Sequence, residues 1–279
     1  MSGPAWMALG IAVFALLDLD TKWLSAGYGM GQVLLLRYGV MLLVLAPFCA
    51  TSLLRARTSL HLLRGILMFA VSAGFYTAFA NLPLFDGYVV YFTAPFMVMA
   101  LGRLMLGEQV PPAAWGWAAF GFAGVVLALV PRLAHDALRA AWPLLAAFVG
   151  TIAYALVMIL TRRAAQAPLG VLLLWPGIVG TVAAAPLAAL EWVTPTPLDA
   201  LLLAISGVLW AGAIGCLSRA VQLSPPSRLA PIDFTAVVWV IAFDRIVFGH
   251  VAGVPELTGA AMVIGACLMH ARAMTRSAA

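Results

Sequence analysis

The sequence predicts an all-α integral membrane protein with ten transmembrane helices, arranged as two inverted repeats of five helices each. Three observations support this prediction. The 279 residues are 65% hydrophobic and only 9% charged, with a mean hydropathy of +1.07, whereas soluble domains usually carry about 25% charged residues. The apolar residues form ten separate stretches, and the two halves of the chain share an order of features. A lipid bilayer is therefore the expected solvent.

Each apolar stretch is long enough to cross the hydrocarbon core as a helix, which takes about 20 residues. The predicted spans are 4–24, 30–49, 61–81, 85–106, 112–131, 142–162, 168–189, 199–221, 227–247 and 255–272. A β-barrel would need segments of about ten residues with strict alternation, but the run 121–130 is apolar on every side. The connections are short, so any function is expected inside the helix bundle.

The distribution of basic residues predicts the orientation. Ten spans place both termini on one side, and that side would hold ten of the fifteen Lys and Arg residues, among them Arg55, Arg57 and Arg64. The positive-inside rule then predicts a multi-pass protein of the bacterial inner membrane with both termini in the cytoplasm. These residues follow the membrane borders, which indicates contact with lipid headgroups and argues against binding of nucleic acid.

Several other classes of site are not expected. Cys49, Cys216 and Cys267 lie far apart in predicted helices, which favours packing over a disulfide or a metal site. The chain has no Gly-x-x-x-x-Gly-Lys-Ser/Thr loop for a nucleotide phosphate. We therefore predict no metal, no cofactor and no ATPase partner. Because no Lys or Arg precedes the first apolar run, a signal peptide is not expected either.

Residues 74–124 and 215–265 repeat one order of features. Each segment has a Gly-containing helix, a Pro-rich turn, a helix with an Ala-Pro pair and a Gly-based stop, although the spacing drifts by a few residues. Five helices per half predict that the second repeat, 141–279, is inverted relative to the first, 1–140. Inverted repeats commonly enclose a midplane site that opens alternately to either side. The repeat therefore favours transport, and a purely structural duplication is the alternative.

The motifs that carry a family resemblance are Leu17-Asp18-Leu19-Asp20-Thr21-Lys22-Trp23, Arg37-Tyr38, Thr93-Ala94-Pro95 with Leu106-Gly107-Glu108, and Leu229-Ala230-Pro231-Ile232-Asp233-Phe234 with Phe248-Gly249-His250. In this order they resemble the EamA branch of the drug/metabolite transporter superfamily, most closely its bacterial amino-acid exporters. His250 departs from the family, which usually has Glu there. The resemblance implies ten helices, cytoplasmic termini and a central cavity lined by the third, fourth, eighth and ninth helices, with help from the first and sixth. It also implies export or exchange of amino acids and other metabolites.

Polar aromatic residues inside the predicted helices are the candidate substrate-binding set. Buried Tyr and Trp usually require a hydrogen-bond partner, and a cavity lined by them would suit moderately apolar amino acids or several substrates. Interfacial belts and ordinary packing are the alternative. The candidates are Tyr76, Asn81, Tyr88, Tyr91, Phe92, Tyr154, Trp175 and Trp210.

Charged residues inside the spans are candidate gating or ion-pair groups, because such groups are costly in hydrocarbon. They are Asp18, Asp20, Lys22, Arg37 and Asp233. Asp18 and Lys22 are four residues apart, so an ion pair is feasible. These residues would form an outer gate, a binding site for a substrate ammonium group, or a neutralised pair at a helix end. Arg37 would be structural or would bind a carboxylate.

Pro95 and Pro231 are the candidate helix-breaking residues. Pro231 leaves the carbonyl one turn earlier without its usual donor, which would place polar backbone near Asp233.

We find no carboxylate or histidine at the centre of a predicted span, which favours uncoupled, facilitated movement by alternating access. A proton-coupled exporter of drugs or other metabolites, using Asp18 or Asp20, is the alternative. An intramembrane lipid-processing enzyme is the alternative from another class. The enzyme is not the prediction, because the chain has neither His-Glu-x-x-His nor Gly-x-Ser-x-Gly.

Overall fold

The computed structural model describes residues 1–49, 58–82, 84–133, 137–247 and 253–276, and all regular structure in these ranges is helical. The helices are α1 (Gly3–Leu24), α2 (Met30–Cys49), α3 (Thr58–Asn81), α4 (Leu84–Tyr91), α5 (Ala94–Leu106), α6 (Pro112–Leu133), α7 (Ala137–Arg163), α8 (Leu169–Leu190), α9 (Pro197–Leu223), α10 (Pro226–Leu229), a 3-10 helix (Ala230–Thr235), α11 (Ala236–Val247) and α12 (Val254–Arg276). The motif Phe248-Gly249-His250 lies outside the described residues, as do Arg55 and Arg57.

Six of the described helices are long and apolar enough to cross a bilayer, namely α1, α2, α3, α7, α8 and α9. The chain is therefore an all-helical, multi-pass membrane protein. The predicted spans agree with the ends of these six helices within three residues, except that α7 begins five residues before its predicted span. A hydrocarbon environment requires an uninterrupted apolar run, which the sequence shows directly.

Two predicted spans are each broken at a proline, the first span near its middle and the second near its start. Pro95 occupies one of the first two positions of α5, just after the turn that ends α4. Pro231 has the same place in the 3-10 helix that joins α10 to α11. Proline lacks an N–H and has a helical φ, so it fits the first turn of a helix well, although prolines inside α2, α7 and α8 do not end those helices. Both breaks lie inside the bundle, where Tyr91 and Asp233 meet.

The helices pack in four extensive pairs, which are α1 with α9, α2 with α8, α3 with α7, and α6 with α12. Glycine permits the closest approaches. A Cβ atom at Gly74 of α3 would lie 2.4 Å from the backbone oxygen of Ala146 in α7. A Cβ atom at Gly31 of α2 would lie 2.4 Å from the backbone nitrogen of Ala188 in α8. Small residues of this kind let helix backbones meet in a membrane, where apolar side chains gain little from burial.

Hydrogen bonds between helix ends define one face of the bundle, which we call the amino-terminal face because Gly3 lies against Ser224 there. Arg163 donates to the carbonyl of Met105 at 3.1 Å. The backbone N–H of Ser227 donates to Glu108 Oε2 at 3.0 Å. Each of these two bonds joins the first half of the chain to the second.

The opposite face is closed by a different set of contacts between the halves. The hydroxyl of Tyr28 donates to Asp199 Oδ2 at 2.7 Å, and this carboxylate partner raises the pKa of Tyr28 above its usual value of 10. The amide of Gln32 donates to the carbonyl of Val193 at 2.6 Å and accepts from the Val193 N–H at 2.9 Å. Both faces of the bundle therefore have contacts that cross from one half to the other.

Candidate functional site

A cavity lies in the centre of the bundle and holds about 630 Å³ of empty space, counted out to its mouth. Seven helices contribute to its wall: α1, α2, α3, α4, α7, α9 and α11. The lining residues are Ile11, Phe14, Leu17, Asp18, Thr21, Arg37, Val71, Ser72, Phe75, Tyr76, Phe79, Tyr88, Tyr91, Tyr154, Trp210 and Ala236. Half of these residues are thus aromatic, and the wall also has one guanidinium and one carboxylate.

Seven of the residues singled out from the sequence line this cavity together. They are Asp18, Arg37, Tyr76, Tyr88, Tyr91, Tyr154 and Trp210. Asp233 joins them indirectly, through hydrogen bonds to two of the tyrosines. Phe92 is buried behind the wall and packs against Tyr88.

Asp18 contacts the cavity and is held by a residue from another helix. The hydroxyl of Tyr88 in α4 donates to Asp18 Oδ2, and the Tyr88 ring stacks on Phe79 with the ring centroids 5.6 Å apart. Lys22, the predicted partner of Asp18, donates to the carbonyl oxygens of Phe79 and Leu82 at 2.7 and 2.8 Å. Carbonyls at the end of a helix lack intrahelical donors, so Lys22 caps α3 while Asp18 accepts from Tyr88.

Asp233 is fully buried in the middle of the bundle. Its Oδ1 accepts hydrogen bonds from the hydroxyls of Tyr91 and Tyr154, both at 3.0 Å. Within the described residues its Oδ2 has no hydrogen-bond partner. This position corrects the prediction that no carboxylate lies at the centre of a span. The break at Pro231 places Asp233 beside Tyr154, near the middle of α7, rather than at a membrane border.

Arg37 is buried with 3% of its surface exposed and joins three helices. Its Nε donates to Ser206 Oγ of α9 at 2.8 Å, and one terminal nitrogen donates to Thr21 Oγ1 of α1 at 2.7 Å. The guanidinium carbon lies 5.8 Å from the centroid of the Trp210 ring. The negative charges of Asp20 and Asp18 act on this group from nearby. Arg37 is therefore a positioned cation in the cavity wall.

Trp210 is the largest ring in the wall and leaves a donor unused. Phe14 and Tyr38 meet it edge to face, with centroids 5.6 and 5.4 Å away. Its Nε1–H is buried and has no acceptor in the part of the chain that the structure describes. Buried indole N–H groups usually have a partner, so this one is available to an acceptor on a bound solute.

Four predicted residues lie away from the cavity wall. Asn81 is exposed at the end of α3, and its side chain donates to the carbonyl of Thr77 at 2.8 Å. Trp175 belongs to α8, which packs outside on α2 and α3 and does not reach the wall. Lys22 caps α3. Asp20 is half-buried, and among the described residues neither of its carboxylate oxygens has a hydrogen-bond partner.

The hydroxyl groups that hold the charged and phenolic side chains are not among the residues predicted from the sequence. Thr21 and Ser206 bind Arg37, and Ser72 shares a hydrogen bond of 2.8 Å with the Tyr38 hydroxyl. The available signal was a buried arginine in the apolar run of α2, which requires hydrogen-bond acceptors on the facing helices. No three side chains of His, Cys, Asp or Glu in the described ranges come close enough to hold a metal ion.

Residues 141–272 match the model of the EamA-like transporter family. A riboflavin transporter of Rhizobium johnstonii is 27% identical over 274 residues, covering 95% of this chain and 89% of that protein. An S-adenosylmethionine uptake transporter of Rickettsia bellii is 25% identical, covering 95% and 92%. A pseudopaline exporter of Pseudomonas aeruginosa is 23% identical, covering 97% and 96%.

A solved crystal structure has the same fold at a TM-score of 0.79. The two chains are 16% identical, and the superposition covers 99% of each. At this identity, the similarity concerns the fold alone.

Proposed function

This chain belongs to the drug/metabolite transporter superfamily, and from that premise we propose that it is a secondary transporter of small zwitterionic metabolites that carry an aromatic or other flat group. Amino acids with aromatic side chains are the smallest solutes of this class. The predicted amino-acid substrate is therefore retained, with larger solutes of the same chemistry beside it.

The observation that carries the proposal is the composition of one cavity wall. Arg37 presents a guanidinium that suits a carboxylate, and Asp18 presents an acceptor for an ammonium group. Between them stand aromatic rings, among them Tyr91 and Trp210, which can stack on a flat group or contact a cation. A zwitterion with a ring would satisfy all three features at once.

The relatives support this class of solute without fixing one member. Riboflavin has a flat ring system, and S-adenosylmethionine joins an amino-acid group to a flat purine. Both solutes are named for proteins that align with more than nine tenths of this chain. The aromatic and charged parts of the wall correspond to the two kinds of group that these molecules carry.

The packing of the helices supports two inverted repeats, 1–140 and 141–279, of five spans each. Exchanging the halves would exchange the α1–α9 pair with the α3–α7 pair and would leave α2–α8 and α6–α12 unchanged. The proline-broken span is the fourth in each half. Five spans per half invert the second repeat, which is the arrangement that supports alternating access to a central site.

The orientation we propose is the one predicted from the basic residues, with both termini in the cytoplasm of a bacterium and the bundle in its inner membrane. The amino-terminal face is then the cytoplasmic face. A solute in the cavity would reach the cytoplasm past Glu108 and Ser227, and the other side past Tyr28 and Asp199.

The position of Asp233 favours proton-coupled transport over the uncoupled movement predicted from the sequence. An ionised carboxylate is costly in the interior of a membrane protein without a cation beside it, and the described hydrogen-bond partners of Asp233 are the neutral hydroxyls of Tyr91 and Tyr154. Such a group is stable when it holds a proton or faces a cationic solute. It would therefore gain and lose a proton as the cavity changes sides.

Uptake into proteoliposomes tests the proposal. The panel contains radiolabelled phenylalanine, tryptophan, leucine, S-adenosylmethionine and riboflavin, each with and without a pH gradient and each compared with empty liposomes. We expect saturable uptake of the ring-bearing zwitterions, with weaker uptake of leucine, because leucine has both charged groups but lacks the ring. Accumulation that requires the pH gradient would support coupling.

Two outcomes would contradict the proposal. Uptake of leucine as efficient as that of the ring-bearing solutes would remove the role of the aromatic wall. No saturable uptake of any panel member by folded protein would overturn the proposed substrate class and return attention to the intramembrane enzyme.

A further inference from the structure

Arg64 is a buried cation that the cavity described above does not include. It lies in α3 and has no exposed surface, although the sequence analysis placed it at a membrane border. Its Nε donates to Thr161 Oγ1 at 3.1 Å, and one terminal nitrogen lies 3.4 Å from His61 Nδ1. The other terminal nitrogen is buried and makes no hydrogen bond anywhere in the described structure.

No carboxylate of the described side chains balances this charge. Glu108 is the one described carboxylate at the amino-terminal face, and its Oε2 accepts from the Ser227 N–H. Asp18 and Asp233 each accept a hydrogen bond from a tyrosine hydroxyl. A buried ion without an opposite charge is strongly unfavourable, so the environment of Arg64 lacks an anion.

A second cavity lies beside Thr161 and continues the first one toward the amino-terminal face. Phe14, Val71, Tyr154 and Trp210 line both cavities. The far end of the second cavity is lined by Thr161, Ser218 and Val221, among others. The two cavities share walls from α1, α3, α7 and α9, with Arg37 in the wall of the first cavity and Thr161 in the wall of the second. Arg64 is not in the wall of the second cavity itself and lies behind Thr161, to which it is hydrogen-bonded.

Thr161 is placed to donate to an anion in this second cavity. Other buried threonines, such as Thr21 and Thr151, donate their hydroxyl hydrogen to the carbonyl four residues earlier, at 2.7 and 2.8 Å. The described hydrogen bonds of Thr161 include only the one it accepts from Arg64. Its hydroxyl hydrogen is consequently available, and the Ser218 hydroxyl lies in the same wall.

We propose that Arg64, Thr161 and Ser218 form an anion subsite that receives the carboxylate of the transported solute in the second cavity. This inference rests on the proposed function, because it identifies the anion as part of the solute. The solute would pass from the guanidinium of Arg37 to that of Arg64 as the cavity changes sides. Phosphate shares the required chemistry, and so do the headgroups of anionic lipids.

Thermal unfolding of the purified, detergent-solubilised protein tests the subsite without measuring transport. Sodium acetate and sodium phosphate are the probes, compared with sodium chloride at equal ionic strength. A ligand that binds only the folded state stabilises it, so we expect acetate or phosphate to raise the midpoint by about 2–4 °C. Arg64→Gln should lose more than half of that shift, and its midpoint in chloride should not fall, because it removes an uncompensated charge.

Arg219→Gln is the matched control, since Arg219 is exposed on α9 and bonds to Gln222; it should keep the whole shift. Thr161→Val keeps the guanidinium and should lose part of the shift in the midpoint. This variant provides the test if Arg64→Gln does not fold. The full shift in both Arg64→Gln and Thr161→Val would overturn the subsite, as would no shift in the unmodified protein. Phosphatidylglycerol is added as a third probe. If it raises the unfolding midpoint while acetate and phosphate do not, Arg64 binds lipid and the proposal is overturned.

A transport measurement then separates the subsite from the proposed function. In proteoliposomes, Arg64→Gln should raise the KM of phenylalanine about tenfold and that of phenylalaninamide, which lacks the carboxylate, less than twofold. Equal effects on the two solutes would overturn the carboxylate assignment even if the protein transports both. An anion-dependent thermal shift without any uptake would sustain the subsite while the proposed substrate class fails.

Discussion

Asp233 is the residue whose surroundings bear most directly on energy coupling. Its carboxyl group accepts two tyrosine hydrogen bonds on one oxygen and has a second oxygen without a hydrogen-bond partner among the described residues. Asparagine has nearly the same shape and keeps an oxygen to accept from Tyr91 and Tyr154, but it cannot carry a proton. We therefore expect Asp233→Asn to abolish accumulation driven by a pH gradient in proteoliposomes.

Exchange of labelled for unlabelled solute provides the internal control for this variant. Exchange at equal concentrations needs no net proton movement, so Asp233→Asn should keep it within about threefold of the unmodified rate, since the cavity keeps its hydrogen bonds. Normal gradient-driven accumulation by Asp233→Asn would contradict the coupling role. Loss of both activities would indicate instead that the carboxylate binds the solute itself.

Tyr91 belongs to the aromatic wall and connects it to Asp233. Its ring lies 5.3 Å from that of Tyr154 and 5.7 Å from that of Phe75, between centroids. Tyr91→Ala would remove this surface, and a lost aromatic contact of about 1.4 kcal/mol raises a dissociation constant about tenfold. We expect the KM of phenylalanine uptake to rise about tenfold or more, with membrane insertion unchanged.

Asn81→Ala is the matched control for the aromatic wall. Asn81 comes from the same set of sequence-based candidates, but it is exposed at the end of α3 and bonds to its own helix. The KM of phenylalanine uptake by the Asn81→Ala variant should therefore stay within about twofold of that of the unmodified protein, as for most surface substitutions. Tyr91→Ala with an unchanged KM would remove Tyr91 from the binding site, whereas equal losses in both variants would point to a general effect on folding.

At the scale of the helices, the sequence predicts where apolar segments run and fails where partners come from other elements. The prediction for α2 agrees with the structure at both ends, because apolar composition alone determines where a helix can cross hydrocarbon. The breaks occur at Pro95 and Pro231, where a proline removes a helical hydrogen bond, but this local effect alone does not determine them, since prolines inside α2, α7 and α8 do not end those helices.

Tertiary contacts supply what the sequence could not. The spacing of Asp18 and Lys22 permits an ion pair on α1, and the structure adds partners from other helices, because Asp18 accepts from Tyr88 of α4 and Lys22 caps α3. Arg64 stood three residues inside the predicted span, but α3 begins earlier, at Thr58, and α7 covers the side chain through Thr161. Neither the depth of a side chain nor its partner on a distant helix can be read from helical periodicity.

For the molecule as a whole, the contacts between the two halves predict how the cavity opens. Glu108 and Ser227 join the halves at the amino-terminal face, whereas Tyr28 and Asp199 join them at the opposite face. In alternating access one face opens as the other closes, so weakening one set should shift the population toward opening of that face. Removing one such hydrogen bond changes the balance by about 1 kcal/mol, or about fivefold.

A matched pair of variants tests this opposition. Ser72 lines the cavity, so Ser72→Cys in a protein without its native cysteines reports access from either side through a membrane-impermeant maleimide. Glu108→Ala should raise the labelling rate from the amino-terminal face and lower it from the other side, so that the ratio of the two rates changes by about fivefold. Tyr28→Phe, which loses the hydroxyl bonded to Asp199, should do the reverse. Changes of the same sign in both variants would contradict alternating access, because two faces that open together describe a channel rather than a carrier.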